Sequence, residues 1–242
     1  MAIHRIYRPL AQRPDALLPG THIQIEGSEA HHAARVKRLG VGSPLEVITG
    51  TGCSVQGTIA RIDKPSRGEW TLTIQITQTV SADPIEPQVH VYAAAPKGRH
   101  LEEMVDQLSQ VGAASWTPLL SERTVVEPRA HKLDRLARVT IEAAKQCGRV
   151  HLLWIGSPVR LEDVLAQSAQ KNLLIADATG RACPTHCPSP CTLLIGPEGG
   201  WTAAELDLAQ HAGAEVVCFG VHTMRIETAA VAACSILLGN TL

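Results

Sequence analysis

Two stretches of the sequence join glycines to charged side chains at points where a strand-like run gives way to a helix-like one. The first is Leu193-Leu194-Ile195-Gly196-Pro197-Glu198-Gly199-Gly200-Trp201-Thr202-Ala203-Ala204-Glu205. Its glycines let a backbone approach a ligand closely, and the free N–H groups of a helix start favour a polar or anionic group. The spacing is neither the dinucleotide GxGxxG nor a Walker loop, whose phosphate lysine is missing. The second is Phe219-Gly220-Val221-His222-Thr223-Met224-Arg225-Ile226-Glu227-Thr228-Ala229-Ala230. Here Arg225 and Glu227 fall at the C-terminal edge of a strand, where open α/β sheets place ligands. Each stretch has a plainer alternative. The first is also a turn into a helix opened by a Thr202/Glu205 capping box; the second is also a surface ion pair with Thr228 as helix cap. A third stretch, Cys183 to Cys191, offers three thiols and His186 as zinc-type ligands. Its three prolines and irregular spacing match no zinc ribbon or finger, and we assign no metal.

The elements around these loops divide the chain in two. Leu45–Ile48, Val55–Ile62 and Trp70–Val80 read as short strands separated by glycine turns, with Thr71–Ile76 alternating at period two, which predicts a small β-barrel. Ser28–Leu39 is the helix expected within it, opened by Ser28 and closed by Gly40. Ala82 to Pro87 carries two prolines and no periodicity and reads as a linker. After it strands alternate with helices. The strands are Val89–Ala95, Trp116–Leu120, Leu152–Ile155, Asn172–Ala176, Thr192–Ile195 and Glu215–Phe219. The helices are Leu101–Val111, Lys132–Cys147, Leu161–Ala169, Ala203–His211 and Thr228–Leu238. That alternation predicts an α/β unit with a mostly parallel sheet. We therefore expect domains at 1–76 and 77–242.

Composition narrows the function. Apolar residues make up 45% of the 242 and charged residues 19%, enough for a substantial core and too ordered for a disordered chain. A net charge of −1 excludes coating nucleic acid by bulk charge. Residues 1–75 nevertheless hold nine Lys or Arg against six acids, so the first part is suited to gripping an anion, a solvated face being the alternative. Aromatics at 3% argue against an RNA-recognition-motif type of stacking surface. No apolar run reaches the length of a membrane span, and the N-terminal segment lacks a secretory core, so a cytoplasmic protein is expected. Seven cysteines, an odd number, suit reduced thiols.

Gly196-Pro197-Glu198-Gly199-Gly200 taken with Arg225-Ile226-Glu227-Thr228-Ala229 closely resembles the 16S rRNA uracil-N3 methyltransferase family, of the SPOUT class of S-adenosylmethionine enzymes. Arg5-Ile6-Tyr7, His31-His32 through Arg38 and Gly42, Pro96-Lys97-Gly98 with Glu102, Ser121-Glu122-Arg123-Thr124 and Glu142 to Arg149 follow in the same order. The chain departs from the family pattern over Asp106 to Gly112 and at His222. The resemblance implies an N-terminal PUA-like RNA-binding β-barrel and a C-terminal trefoil-knotted α/β domain. It implies S-adenosylmethionine as cofactor, 16S rRNA or the small ribosomal subunit as partner, and a homodimer. Cofactor contacts are then expected from Ala176 and Asp177, from Ile195, Gly196, Pro197, Glu198, Gly199 and Gly200, and from Phe219, Gly220, Met224, Arg225, Thr228 and Ala229. Arg225 is the expected catalytic cation. Glu198 and Glu227 are candidate bases or, in preference, a cofactor ligand and an orienter of Arg225. Arg5, Arg8, Arg35, Arg38, Lys97 and Arg123 are the expected phosphate contacts.

Overall fold

The computed structural model describes residues 3–9, 17–64, 66, 69–166, 172–184 and 187–239. It divides into two compact units: Met1–Asp83 with Ala144–Leu152, and Pro84–Ala143 with Leu153–Leu242. Strand β5 continues past residue 76 to Ser81, so the first sheet ends at the linker rather than before it.

The first unit is a five-stranded sheet in the order β1-β3-β4-β5-β2. Its strands are β1 (His4–Tyr7), β2 (His22–Glu26), β3 (Pro44–Ile48), β4 (Cys53–Asp63) and β5 (Thr71–Ser81). β1 lies parallel to β3 and every other pairing is antiparallel. Alternation places Ile23, Ile25, Leu45, Val47, Val55, Ile59, Leu72, Ile74 and Ile76 in one buried cluster. Two register shifts between β4 and β5, one with the extra residue on β5 at Thr77 and one with it on β4 at Ala60, curl the sheet. At Gly57 an added Cβ would lie 2.7 Å from a side-chain carbon of Ile74, so a glycine is needed where the curled strands press together. The expected helix is shorter than its sequence span. α1 (Gly27–His31) continues as one wider turn over His32–Val36, in which the Lys37 N–H reaches the His32 carbonyl at 2.9 Å. Arg38, at φ 55°, then ends it before Leu39.

The second unit is an α/β sheet in the order β12-β10-β11-β6-β7-β8, parallel throughout, with β9 also on β7. The strands are β6 (Val89–Ala93), β7 (Ser115–Leu120), β8 (Trp154–Ile155), β9 (Val159–Arg160), β10 (Leu173–Ala182), β11 (Cys191–Ile195) and β12 (Glu215–Cys218). Central β11 is buried at every position, as a strand covered on both faces must be. Pro118 has no N–H to give, and the outer edge of β7 is correspondingly served by two short strands, β8 at Ser115–Trp116 and β9 at Leu119–Leu120. The helices are α2 (His100–Val111), α3 (Ala130–Cys147), α4 (Leu161–Ala166), α5 (Ala203–His211) and α6 (Ile226–Gly239). The last residues of the helix expected over 161–169 lie outside the described residues. α2 buries Leu101, Met104, Val105 and Leu108 and stops at Gly112, φ 107°, whose left-handed backbone suits glycine. After β12 at one edge, α6 returns to pack on β6, β11 and α2 near the middle of the sheet. Its small residues Ala230, Ala233 and Cys234 allow that close approach. Among the described residues, no helix is long and apolar enough to cross a membrane.

Candidate functional site

Three parallel neighbours, β12, β10 and β11, end on the same side of the sheet, and the loops that leave them enclose a cavity of about 300 Å³. From β10 come Ala176 and Asp177, from the loop after β11 come Gly196, Pro197, Glu198 and Gly200, and from the loop after β12 come Phe219, Gly220 and Met224. Ile195 and Ala229 complete the set expected from sequence that lines it. Gly199, Arg225 and Thr228 do not line it. Gly199 instead lies under the Arg123 side chain, an added Cβ falling 3.3 Å from Arg123 Cδ. Arg225 is exposed, and its carbonyl accepts the first helical bond of α6 from the Ala229 N–H at 2.8 Å. Thr228 stands inside the first turn of α6, not at its cap.

The glycine loop is built to hold its shape. Thr202 and Glu205 form the expected capping box: the Glu205 N–H donates to Thr202 Oγ1 at 3.2 Å, and the Thr202 N–H donates to Glu205 Oε2 at 2.8 Å. Gly200, at φ 69°, takes the left-handed conformation that closes the turn, and its N–H donates to the Pro197 carbonyl at 2.9 Å. Trp201 turns back under the loop. Its indole is 7% exposed, and Nε1 donates to the Ala176 carbonyl at 2.9 Å, so it ties the end of β10 to the loop after β11. An added Cβ on Gly196 would lie 2.8 Å from the Trp201 ring, which is why that position has none. Within β10 the pairing with β12 slips between Ala176 and Arg181, and Asp177 Oδ1 accepts from the Thr179 N–H at 2.9 Å and its hydroxyl at 2.7 Å. The slip lifts Asp177 and Ala178 out of the ladder and into the cavity wall.

Chemically the cavity joins apolar walls (Ile195, Val217, Phe219, Met224, Ile226) to backbone polar groups and two carboxylates, Asp177 and Glu198. Among the described residues, the N–H groups of Gly220 through Met224 have no backbone acceptor. Such a site suits a small molecule with a flat apolar part and polar edges. Glu198 also borders a smaller hollow beside it, with Lys97 and Ile226. Glu227 approaches His100 Nδ1 at 3.7 Å and makes no ion pair with Arg225 among the described residues, so it does not orient that arginine.

The expected phosphate contacts divide. Arg35 and Arg38 are exposed in the first unit, and Lys97 is exposed beside the small hollow. Arg5 is committed within its own unit: Nε donates to Glu46 at 2.9 Å, and Nη1 donates to the carbonyls of Lys145 and Gln146 at 3.3 Å, where α3 ends. Arg8 is half-buried at the end of β1, its N–H donating to the Ile48 carbonyl at 3.0 Å. Arg123 is committed too, with Nη1 donating to the carbonyls of Gly199 at 2.7 Å and Trp201 at 3.4 Å. The cavity also takes in Ala178, Val217 and Cys218, which lie outside both glycine stretches, while Trp201, His222 and Thr223 lie within them but are not among the expected contacts. Only their position at the two glycine turns could have marked these last three. In the cysteine-rich stretch, Cys187 and Cys191 are buried in the core, and His186 lies outside the described residues. No three potential metal ligands converge among the described residues.

The chain is similar to known proteins along nearly its whole length. Residues 84–238 match the RNA methyltransferase domain family, and residues 25–66 match the RNA methyltransferase PUA domain. The chain is 30% identical over 230 residues to a Synechocystis ribosomal RNA small subunit methyltransferase E, covering 91% of this chain and 73% of that protein. It is 25% identical to the Bacillus subtilis protein of the same name, covering 90% of each. A Legionella pneumophila structure solved with the bound cofactor SAM superposes with a TM-score of 0.83 at 26% identity, covering 99% of this chain and 98% of that one. A Neisseria gonorrhoeae ribosomal RNA small subunit methyltransferase E bound to S-adenosyl methionine gives the same TM-score at 22% identity and shares the fold, with 98% of each chain covered. With one family model covering most of the chain and a relative 30% identical over nearly all of it, the chain belongs to the ribosomal RNA small subunit methyltransferase E family.

Proposed function

We propose that this protein transfers a methyl group from S-adenosylmethionine to N3 of one uridine in the decoding region near the 3′ end of 16S rRNA. It acts in the cytoplasm as a homodimer, on the assembled small ribosomal subunit. The observation that carries the reading is the cavity at the ends of β10, β11 and β12, formed by the glycine loops that the resemblance singled out. The residues present fit the cofactor. Phe219, Met224 and Ile195 offer apolar surface to an adenine, the unpaired N–H groups after Gly220 offer donors, and the carboxylates of Asp177 and Glu198 suit hydroxyl or ammonium groups.

When bound, S-adenosylmethionine supplies a methyl group on a sulfonium sulfur, ready for in-line displacement. The protein's share is alignment and electrostatics. Uridine N3 must lose its proton before it has a lone pair to attack with, and the charge left behind spreads to O2 and O4. Arg225, exposed between two cavity-lining neighbours, is the cation that stabilises that charge. Glu198 sits between the cavity and the Lys97 hollow, where a nucleotide entering from that side would meet both. Its preferred role is cofactor binding, with proton abstraction the lesser one. Arg35, Arg38 and Lys97, exposed and without an ion pair among the described residues, are cations for the rRNA backbone, joined by Arg8. The dimer contact falls on the outer face of α6, which keeps Ile236 37% exposed.

Mapping by reverse transcription tests the reading. Small subunits lacking the modification are incubated with protein and cofactor, because an N3 methyl blocks the pairing edge and stops the polymerase. A new stop at one decoding-region uridine, absent with Arg225→Ala, is expected. Methyl incorporation without a stop would contradict it, since a ribose methyl is read through.

A further inference from the structure

The loop Ser121–Thr124 that follows β7 lies outside the cavity wall, yet Arg123 reaches the glycine loop and Glu122 the helix that follows it. The loop is itself closed: the Ser121 N–H donates to Thr124 Oγ1 at 2.8 Å, and the Thr124 N–H to the Ser121 carbonyl at 3.1 Å. From it the Glu122 N–H donates to Glu205 Oε1 at 2.8 Å, while the other oxygen of that carboxylate takes the Thr202 N–H. Glu205 is 6% exposed, so both oxygens are used in a largely dry setting. Arg123 reaches across Gly199 to the carbonyls of Gly199 and Trp201.

The consequence follows from peptide planarity, because C=O and N–H of one peptide point in opposite directions. The Gly199–Gly200 peptide is held at its oxygen by Arg123 and at its N–H by the Pro197 carbonyl. The Trp201–Thr202 peptide is held at its oxygen by Arg123 and at its N–H by Glu205. Two peptide planes of the glycine loop are therefore fixed at both ends, and one guanidinium supplies one end of each. Gly199 leaves room for the side chain to lie this close, since a Cβ there would fall 3.3 Å from Arg123 Cδ.

The geometry points to Arg123 as a positioning residue for the cofactor: with Glu205 it braces the Gly196–Gly200 loop in its binding shape before the cofactor arrives. This rests on the reading of the cavity as the cofactor site. Its contribution is preorganisation, so it acts on cofactor affinity and leaves the reacting atoms alone. A phosphate-binding arginine would behave in the opposite way.

The test measures S-adenosylmethionine affinity by calorimetry without RNA, RNA affinity by filter binding, and steady-state methyl transfer to small subunits. Arg123→Ala should weaken cofactor binding roughly tenfold or more, through two lost charge-assisted bonds. It should raise the KM for the cofactor while kcat at saturation stays near wild type, with RNA affinity unchanged. Amide exchange at Gly200 and Thr202 should quicken. Arg123→Lys, with a single compact cation, should recover part of the affinity, and it carries the test should the alanine variant fail to fold. Unchanged cofactor affinity with weakened RNA binding, or a fall in kcat at constant KM, would overturn the brace. Ala229→Leu, which fills the cavity, separates the two claims. If it abolishes cofactor binding while Arg123→Ala does not, the site stands and the brace falls; if it binds cofactor normally, both fall.

Discussion

Replacing Gly196 with alanine adds one methyl group at the most crowded point of the cofactor loop. The new Cβ would lie 2.8, 3.1 and 3.2 Å from three carbons of the Trp201 ring. Carbon atoms pack at roughly 3.5–4.0 Å, so ring or loop must give by about half an ångström or more. The ring has little freedom, being 7% exposed with its Nε1 donating to Ala176 at 2.9 Å. Overpacking of this kind costs roughly 1–3 kcal/mol, and weakening the buried hydrogen bond adds about 1 kcal/mol. A net loss of about 2–4 kcal/mol corresponds to a fall in melting temperature of roughly 4–16 °C for a chain of this size. Because Ala176 and Gly196 both line the cavity, cofactor affinity should fall along with stability. Thermal unfolding followed by circular dichroism gives the first quantity and calorimetric titration with S-adenosylmethionine the second. Gly239→Ala is the control: nothing lies within 4 Å of its added Cβ, and at the end of α6 it should lose no stability and gain up to about 1 kcal/mol. A Gly196→Ala protein that melts and binds cofactor like wild type would show that the Trp201 bridge yields at no cost and does not hold the loop.

Glu205→Gln keeps the size of the side chain but turns an amide donor toward N–H groups that need an acceptor, Glu122 on one oxygen and Thr202 on the other. It should lower stability by about 1–3 kcal/mol in urea titrations, and an unchanged midpoint would count against the capping network. Leu108→Ala empties a fully buried position on α2 and should cost about 2–5 kcal/mol by the same assay. Burial, reinforced by the nearby charges of His32, Lys37 and Lys145, holds the His4 imidazole below its ordinary pKa, and burial alone does the same for His90. The unfolded chain then binds more protons than the folded one just below about pH 6.5, so stability is full above that pH and declines on acidification until the folded pKa values are passed. Unfolding free energy measured across pH 5–8 should show that slope, and His90→Gln should flatten it; a slope the variant leaves untouched would assign the effect elsewhere.

What could be read from the sequence was what local chemistry decides. The alternation in Thr71–Ile76, the all-apolar run into Gly196 and the Thr202/Glu205 box each depend on residues within a few positions of one another, and each stands in the structure where the spacing put it. Strands β1 and β2 were not anticipated, because they are short and owe their conformation to partners far along the chain: His4 pairs with Leu45, and His22 with Gln75. The end of α3 is a second case. Residues 144–152 pack with the first unit, the Gly52 N–H meeting the Val150 carbonyl at 3.0 Å, and no composition change marks that return. Charged side chains were the least legible. Arg123 and Glu227 carry the right types for RNA contact and for orienting Arg225, yet Arg123 finds carbonyls 76 and 78 positions away, and Glu227 faces His100. An arginine's spacing along the chain states its charge, and only the fold states which acceptors come within its reach.

Identifying the methylated nucleoside tests the proposed uridine-N3 methylation itself. Small subunits lacking the modification are treated with the protein and methyl-deuterated S-adenosylmethionine, and the 16S rRNA is digested to nucleosides for mass spectrometry. The label should appear in 3-methyluridine and in no other nucleoside, and Arg225→Ala should remove it. Label in a ribose-methylated nucleoside or in another base, with 3-methyluridine unlabelled, would contradict uridine-N3 methylation.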